Sequence, residues 1–171
     1  MVKTLLLIAP RNFNYTEFYF TKKGLEDKGV QVTVASINTD EAISMDGKRF
    51  KPDKQLVSVN PEDYDAFIII GGSGVPSLLD YPEVIDRLKR FNKDKKIIGA
   101  ICLAPIILAK AGILKGIIST VFPADFAVSF LKKSGATYTE MHVVEDDNII
   151  TADGPNSAKE FVDKILKKLN V

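Results

Sequence analysis

Short, continuous apolar runs alternate along the chain with stretches whose apolar residues recur every three to four positions. Val2–Ala9, Val30–Ile37, Ala66–Ile70 and Lys96–Ile101 are runs of the first kind, the pattern of strands buried on both faces. Thr16–Lys28 carries Phe20 and Leu25 at helical spacing and stops at Gly29, a residue suited to the left-handed position past a helix end. Pro82–Phe91, Leu103–Ala111 (closed by Gly112), Asp125–Ser134 and Ser157–Leu169 read as further helices, and Ile117–Phe122 as another strand. Ile43–Val59 is polar and irregular around Asp46–Gly47, which predicts a hairpin excursion. Thr139–Val144 and Asn148–Ala152 predict a short antiparallel pair around the acidic turn "EDDN". Buried strands alternating with helices predict an α/β chain: a mostly parallel sheet in a three-layer α/β/α sandwich. No stretch offers a linker, and residues 1–171 read as one domain.

Composition narrows the function classes. The 171 residues suffice for one sizeable core. Lys plus Arg (23) nearly balances Asp plus Glu (22), so no basic field recruits nucleic acid or anionic lipid. The apolar runs fall far short of the roughly 18 residues a membrane helix needs. No cleavage signature follows Met1, and a single cysteine forms no internal disulfide, so a cytoplasmic, reducing home is expected. One Cys and one His do not build a structural zinc site, and no cofactor is expected.

In sheets of this kind ligands bind beyond the carboxyl ends of the strands. That rule gathers "PRNFNYTE", the glycine turn Gly71–Gly74, Cys102, Phe122 with Pro123, and "DGPNS" (Asp153–Ser157) onto one rim. Around Cys102 the pattern is small–x–Cys–x–small: Ala100, Ile101, Cys102, Leu103, Ala104. A nucleophile elbow needs that spacing, because the strand-to-helix turn is too tight for large side chains two positions away. The N–H of Leu103 and those of the Gly71–Gly72 turn are candidate oxyanion donors. A small buried hydrophobe is the other reading of Cys102, and spacing alone leaves both open.

"AICLAP" followed by "AGILKG" resembles the ThiJ/PfpI superfamily, within the class I glutamine amidotransferase-like group. The resemblance runs through nearly the whole chain: the first-strand segment with Glu17, the "IIIGGSG" turn, the elbow, "STVFPA" and "ITADGPNSAKEF". It implies a flavodoxin-like fold, Cys102 as reactive centre, Glu17 hydrogen-bonded to it, Gly72 as the matching turn glycine, and a homodimer. Gly71, Phe122, Pro123 and Gly154 are then expected to line the pocket. Glu17 would hold its proton, with a raised pKa, while the following helix N-terminus would lower that of Cys102.

The chain departs from the family at both usual histidine positions, which are Leu103 and Phe122 here. The sole histidine, His142, lies on a predicted strand. Arg11 and Arg49 are candidates for the rim arginines of some relatives, and Tyr15, Phe18 and Tyr19 for a pocket or dimer face. "KRFNKDKK" (Lys89–Lys96) reads as a solvated helix end. The resemblance implies action on small reactive carbonyls, of glyoxalase or deglycase type, or peroxide sensing by oxidation of Cys102. A cysteine hydrolase is the alternative; it lacks a base unless His142 reaches Cys102 across an oligomer contact. A non-catalytic, chaperone-like member is the third reading.

Overall fold

A computed structural model describes residues 1–171. In chain order the elements are β1 (Lys3–Leu7), β2 (Arg11–Phe13), α1 (Tyr15–Glu26), β3 (Gln31–Ser36), β4 (Ala42–Ser44), β5 (Arg49–Phe50), β6 (Lys54–Gln55), β7 (Ala66–Ile69), α2 (Pro82–Lys93), β8 (Ile97–Ile101), α3 (Pro105–Lys110), β9 (Ile118–Ser119), α4 (Asp125–Lys133), β10 (Thr137–Tyr138), β11 (Val143–Asp146), β12 (Ile149–Ala152) and α5 (Ala158–Leu169). Seven strands form the central sheet in the order β11-β12-β8-β7-β1-β3-β6, parallel except for β11.

Period-two alternation explains the continuous apolar runs. Leu5, Leu7, Phe67 and Ile69 point into one core with α2, α3 and α4, whereas Leu6, Ile8, Ile68 and Ile70 point into the other with α1 and α5. Both faces are dry, and the one polar side chain buried on β1, Thr4, leaves its hydroxyl without a hydrogen-bond partner. Helices cover both faces and complete the three-layer α/β sandwich. Connections leave β1 toward β3 on one side and return to β7 on the other, so the strand order reverses at β1. The crevice at the carboxyl ends of β1 and β7 is therefore the switch point of the sheet.

The helix ends follow local chemistry. Gly29 and Gly112 take left-handed φ values of 78° and 75° beyond α1 and α3. Pro82 opens α2, where its missing N–H has no cost. The β4–β5 excursion is the anticipated hairpin, with Gly47 at φ 82° in its turn.

Three expectations need correction, and one short strand went unread. Phe20 is half exposed; the buried face of α1 is Glu17, Phe18, Thr21 and Leu25. Two of those four are polar, which is why apolar spacing misplaced the face. Ile117–Phe122 gives only the two-residue β9, which pairs with β10 outside the central sheet. Alternate N–H groups go to side chains, Ile118 to Asp146 Oδ2 at 2.8 Å and Thr120 to Thr151 Oγ1 at 3.0 Å. A regular ladder cannot form on such partners. The segment Arg11–Phe13 pairs with β4, a short strand that its polar residues concealed. Finally, Lys89–Lys96 is not simply a solvated end. Phe91 is fully buried, and Lys96 Nζ donates to the carbonyls of Pro61 (2.8 Å) and Tyr64 (2.7 Å).

Candidate active site

The site is assembled at the switch point by the glycine turn after β7. Asn14 caps α1 and accepts the Glu17 N–H at 3.1 Å. The Asn14–x–x–Glu17 spacing is that of a capping box, in which the glutamate would reach back to the cap N–H. It does not. The Asn14 N–H donates instead to Gly71 O at 2.9 Å, and Glu17 Oε2 accepts the Gly71 N–H at 2.8 Å. The turn thus takes over the reciprocal half of the box, accepting from the cap N–H and donating to the glutamate, and draws the carboxylate inward, where it is fully buried.

Gly71 has no room for a side chain. A Cβ there would lie 2.4 Å from Cys102 Cβ, 2.6 Å from Glu17 Oε2 and 2.7 Å from Ile101 O. Those distances show how tightly the carboxyl and the cysteine are clamped around it. Gly72 has φ 118° and would place a Cβ 2.3 Å from Asn12 O. Both glycines are required by contact, and Gly72 by conformation as well.

Cys102 follows β8 with φ 62°, a left-handed backbone that costs a non-glycine residue on the order of 1–3 kcal/mol. Its backbone is tied on both sides: its N–H donates to Ala152 O at 2.9 Å, and its carbonyl accepts the Phe122 N–H at 2.8 Å. The elbow geometry expected from the small residues is present. The side chain is nearly buried, with the N–H groups of Gly72 and Leu103 facing the sulfur.

The electrostatics divide from the expectation. Burial pushes the Glu17 carboxyl up to about 7, against the lowering influence of the Gly71 N–H and the thiol. The Cys102 thiol is also pushed up, to about 12, by burial first and by the Glu17 charge second; the Gly72 and Leu103 N–H groups offset this only in part. The anticipated lowering by a helix N-terminus fails for a structural reason. The helix α3 begins at Pro105, which has no N–H, and the Cys102–Ala104 turn separates the sulfur from it. Thiol and carboxyl are coupled in titration, yet Glu17 Oε1 has no hydrogen-bond partner of its own. Between the two titrations the pair holds one proton.

Gly154 and Phe122 sit together on the rim: a Cβ on Gly154 would be 3.9 Å from Phe122 Cδ2. Pro123 lines a hollow of about 490 Å³ with Asp125, Val128, Lys132, Tyr138 and Glu140. Arg49 pairs with Glu41 at 3.3 Å on the hairpin. Tyr15, Phe18 and Tyr19 line a hollow of about 380 Å³ with Lys22, Lys23 and Phe50, not with Cys102. His142 is well exposed and its Nδ1 bonds Asp153 Oδ2 at 2.7 Å. Asp153 Oδ1 in turn accepts the Ser157 hydroxyl at 2.6 Å. The individual roles of Asp153 and Asn14 went unread in the sequence; the capping spacing was the available signal for Asn14, and none distinguished Asp153 within "DGPNS".

Comparison with known proteins decides the family. The DJ-1/PfpI family profile matches residues 2–168. The chain belongs to the DJ-1/PfpI family. It is 40% identical to an uncharacterized protein of Methanocaldococcus jannaschii over 98% of this chain and 82% of that one. It is 32% identical to the glutathione-independent glyoxalase DJR-1.2 of Caenorhabditis elegans over 96% of this chain and 87% of that one. Among solved structures, a ThiJ/PfpI domain protein of Brachyspira murdochii superposes with TM-score 0.93 at 30% identity, over 98% and 96% of the two chains. The oxidized form of Toxoplasma gondii DJ-1 superposes with TM-score 0.89 at 29% identity, over 99% and 91%.

Leu103 and Phe122 occupy the two positions where a histidine was sought, and the groups that act on the thiol are Glu17, Gly72 and Leu103, with no imidazole among them. No three His, Cys, Asp or Glu side chains gather into a set able to hold a metal ion. No helix is long and apolar enough to cross a membrane.

Proposed function

We propose that this DJ-1/PfpI protein is a cysteine-dependent enzyme of glyoxalase type, converting a 2-oxoaldehyde to a 2-hydroxy acid. The observation that carries the reading is the buried Glu17 carboxyl, pushed up to about 7 and clamped against Cys102 by the Gly71 turn. A general acid–base group works best when it titrates near the working pH. The Cys102 sulfur adds to the aldehyde carbon: the S–C bond forms, and the thiol proton ends on the aldehyde oxygen. The Glu17 carboxylate then takes the hydrogen of that carbon as a proton and returns it to the neighbouring carbon, leaving a thioester. Water cleaves the thioester, releasing the hydroxy acid and the thiol. The Gly72 and Leu103 N–H groups stabilise charge around the sulfur and the developing oxyanion. Similarity to a relative named as a glutathione-independent glyoxalase supports the reading. Purified protein should form lactate from methylglyoxal without added thiol, and Cys102→Ala should abolish it; lactate formed equally by Cys102→Ala rules the reading out. A homodimer, implied by the family, is checked by sedimentation.

Peroxide sensing is a second reading, favoured by one observation: Glu17 Oε1 is buried without a partner beside two N–H donors at the sulfur. Such a pocket suits the oxygens of a sulfinate. Each step transfers one peroxide oxygen to sulfur and releases water. Because the thiol is pushed up to about 12, oxidation should be slow at neutral pH and quicken as pH rises. Intact-mass spectrometry after graded peroxide measures this. If Cys102 stays unmodified while all three methionines oxidise, the sulfur is not a sensor.

A further inference from the structure

The carboxyl edge of the sheet places four residues in one row. The β7–β8 register pairs Ile69 with Ala100, so Gly71 lies beside Cys102. The β12–β8 register pairs Ala152 with Ile101, and the Cys102 N–H bonds Ala152 O, so Asp153 comes next to Cys102 on the other side. The β11–β12 register pairs Val143 with Ala152, which sets His142 opposite Asp153, and the Asp153 N–H donates to His142 O at 3.0 Å. Adjacent strands are about 4.8 Å apart, so Asp153 is one strand from the reactive cysteine and His142 two.

The side chains continue the row. Asp153 holds His142 Nδ1 with one oxygen and is itself held by the Ser157 hydroxyl through the other. With Nδ1 committed, Nε2 is the nitrogen left for exchange with a ligand. The Asp153 side chain is 21% exposed and His142 79% exposed, so the carboxylate is partly sheltered and the imidazole stands in solvent at the rim. Beyond Asp153, the other groups that bear on this pair are Glu160 on α5 and, toward Asp153, Tyr138 on β10. Glu140 lies close to Tyr138.

We propose that His142, positioned by Asp153 and Ser157, relays the oxygen-bound proton of the substrate. The proposal rests on the glyoxalase reading. The rearrangement from hemithioacetal to thioester moves two protons. The carbon-bound one travels from the first carbon to the second, which is the task assigned to Glu17. The other must leave the hydroxyl on the first carbon and arrive on the oxygen of the second. As the Glu17 carboxylate removes the carbon-bound proton, the electron pair passes to the second oxygen, and the imidazolium gives that oxygen its proton from Nε2. Neutral imidazole then takes the hydroxyl proton of the first carbon as the thioester carbonyl forms. Imidazolium is regenerated and nothing is consumed. Glu17 reaches the glycine turn from α1, whereas His142 lies beyond β12 on the other side of Cys102 in the row, so the two protons move on opposite flanks. A histidine two strands away on the neighbouring hairpin thereby compensates for the apolar Leu103 and Phe122.

Methylglyoxal turnover across pH tests this on the full chain. The acid limb of kcat belongs to Glu17, which must be ionised. The alkaline limb belongs to His142, which starts protonated and whose pKa Asp153 raises by hydrogen bond and charge. We expect His142→Gln to lower kcat about tenfold to a hundredfold, with KM nearly unchanged, and to erase the alkaline limb. Asp153→Asn should keep part of the activity and move that limb to lower pH. In both variants the alkylation rate of Cys102 by iodoacetamide should match the wild type, which separates a proton relay from damage to the elbow. Wild-type turnover with an unaltered His142→Gln profile overturns the relay and leaves the glyoxalase reading standing. Absence of wild-type turnover overturns both.

Discussion

Two acid–partner pairs lie a strand or two apart on the same rim, and they behave differently. Glu17 and Cys102 are dry: Glu17 is fully buried, its one strong bond is a backbone N–H, and no cation is near enough to count among the causes of its shift. Asp153 and His142 are wet, with the imidazole mostly in solvent. In the dry pair desolvation dominates, and both partners are driven toward their neutral forms. In the wet pair the hydrogen bond and charge dominate, and the histidine is driven toward its charged form. Two differences set the outcomes apart: the dry pair is two acids whose charges repel in a site without water, and the wet pair is an acid and a base whose charges attract in solvent. The dry pair stores energy in the fold; the wet pair stores almost none.

The largest test of that contrast is Glu17→Gln. The folded-state pKa of Glu17 lies above its unfolded value of 4.5, at about 7. The native state therefore binds the proton more tightly, and the stability Glu17 contributes is fully present below 4.5 and lost as pH rises through 7. A neutral amide escapes that loss. Near pH 8 the variant should be more stable than the wild type by about 3 kcal/mol, the equivalent of the shift, and near pH 4 the two should match. Urea unfolding at the two pH values measures it. A constant difference across pH would mean that Glu17 is not dry.

Next comes Gly71→Ala, which forces a methyl group between Cys102 and Glu17. Overpacking of this kind costs about 1–3 kcal/mol, and the displaced carboxyl should lose its raised pKa. A fall in the thermal midpoint together with a flatter pH–stability curve is the expected result. Unchanged stability would show that the clamp is looser than its distances imply.

The smallest effect belongs to an exposed pair. Arg90 and Glu62 meet at 3.4 Å with side chains roughly half or more in solvent. Arg90→Ala should change stability by no more than about 0.5 kcal/mol. A larger change would mean that surface pairs in this chain do more than screened charges can.

The parallel core was legible because it is built from residues of one kind. Leu5 to Ile8 and Phe67 to Ile70 are apolar without a break, and only a sheet covered on both faces buries such runs. The elbow was legible for a steric reason: Ala100 and Ala104 are small where a tight turn admits nothing else. Resemblance to the ThiJ/PfpI pattern then singled out Glu17 and Gly72.

By itself the sequence determined which strands are buried on both faces, where most helices run, and that the single cysteine stands at the bend. Only the tertiary structure decided the state of that cysteine. Whether its thiol is lowered or raised depends on where α3 begins, how far Glu17 is withdrawn from water, and which N–H groups face the sulfur. These are distances between segments remote in the chain: Glu17 and Gly71 are 54 residues apart. The row His142–Asp153–Cys102–Gly71 was decided in the same way. It exists only because three strand registers align. Register is a property of paired backbones, and no residue in the row announces its neighbours.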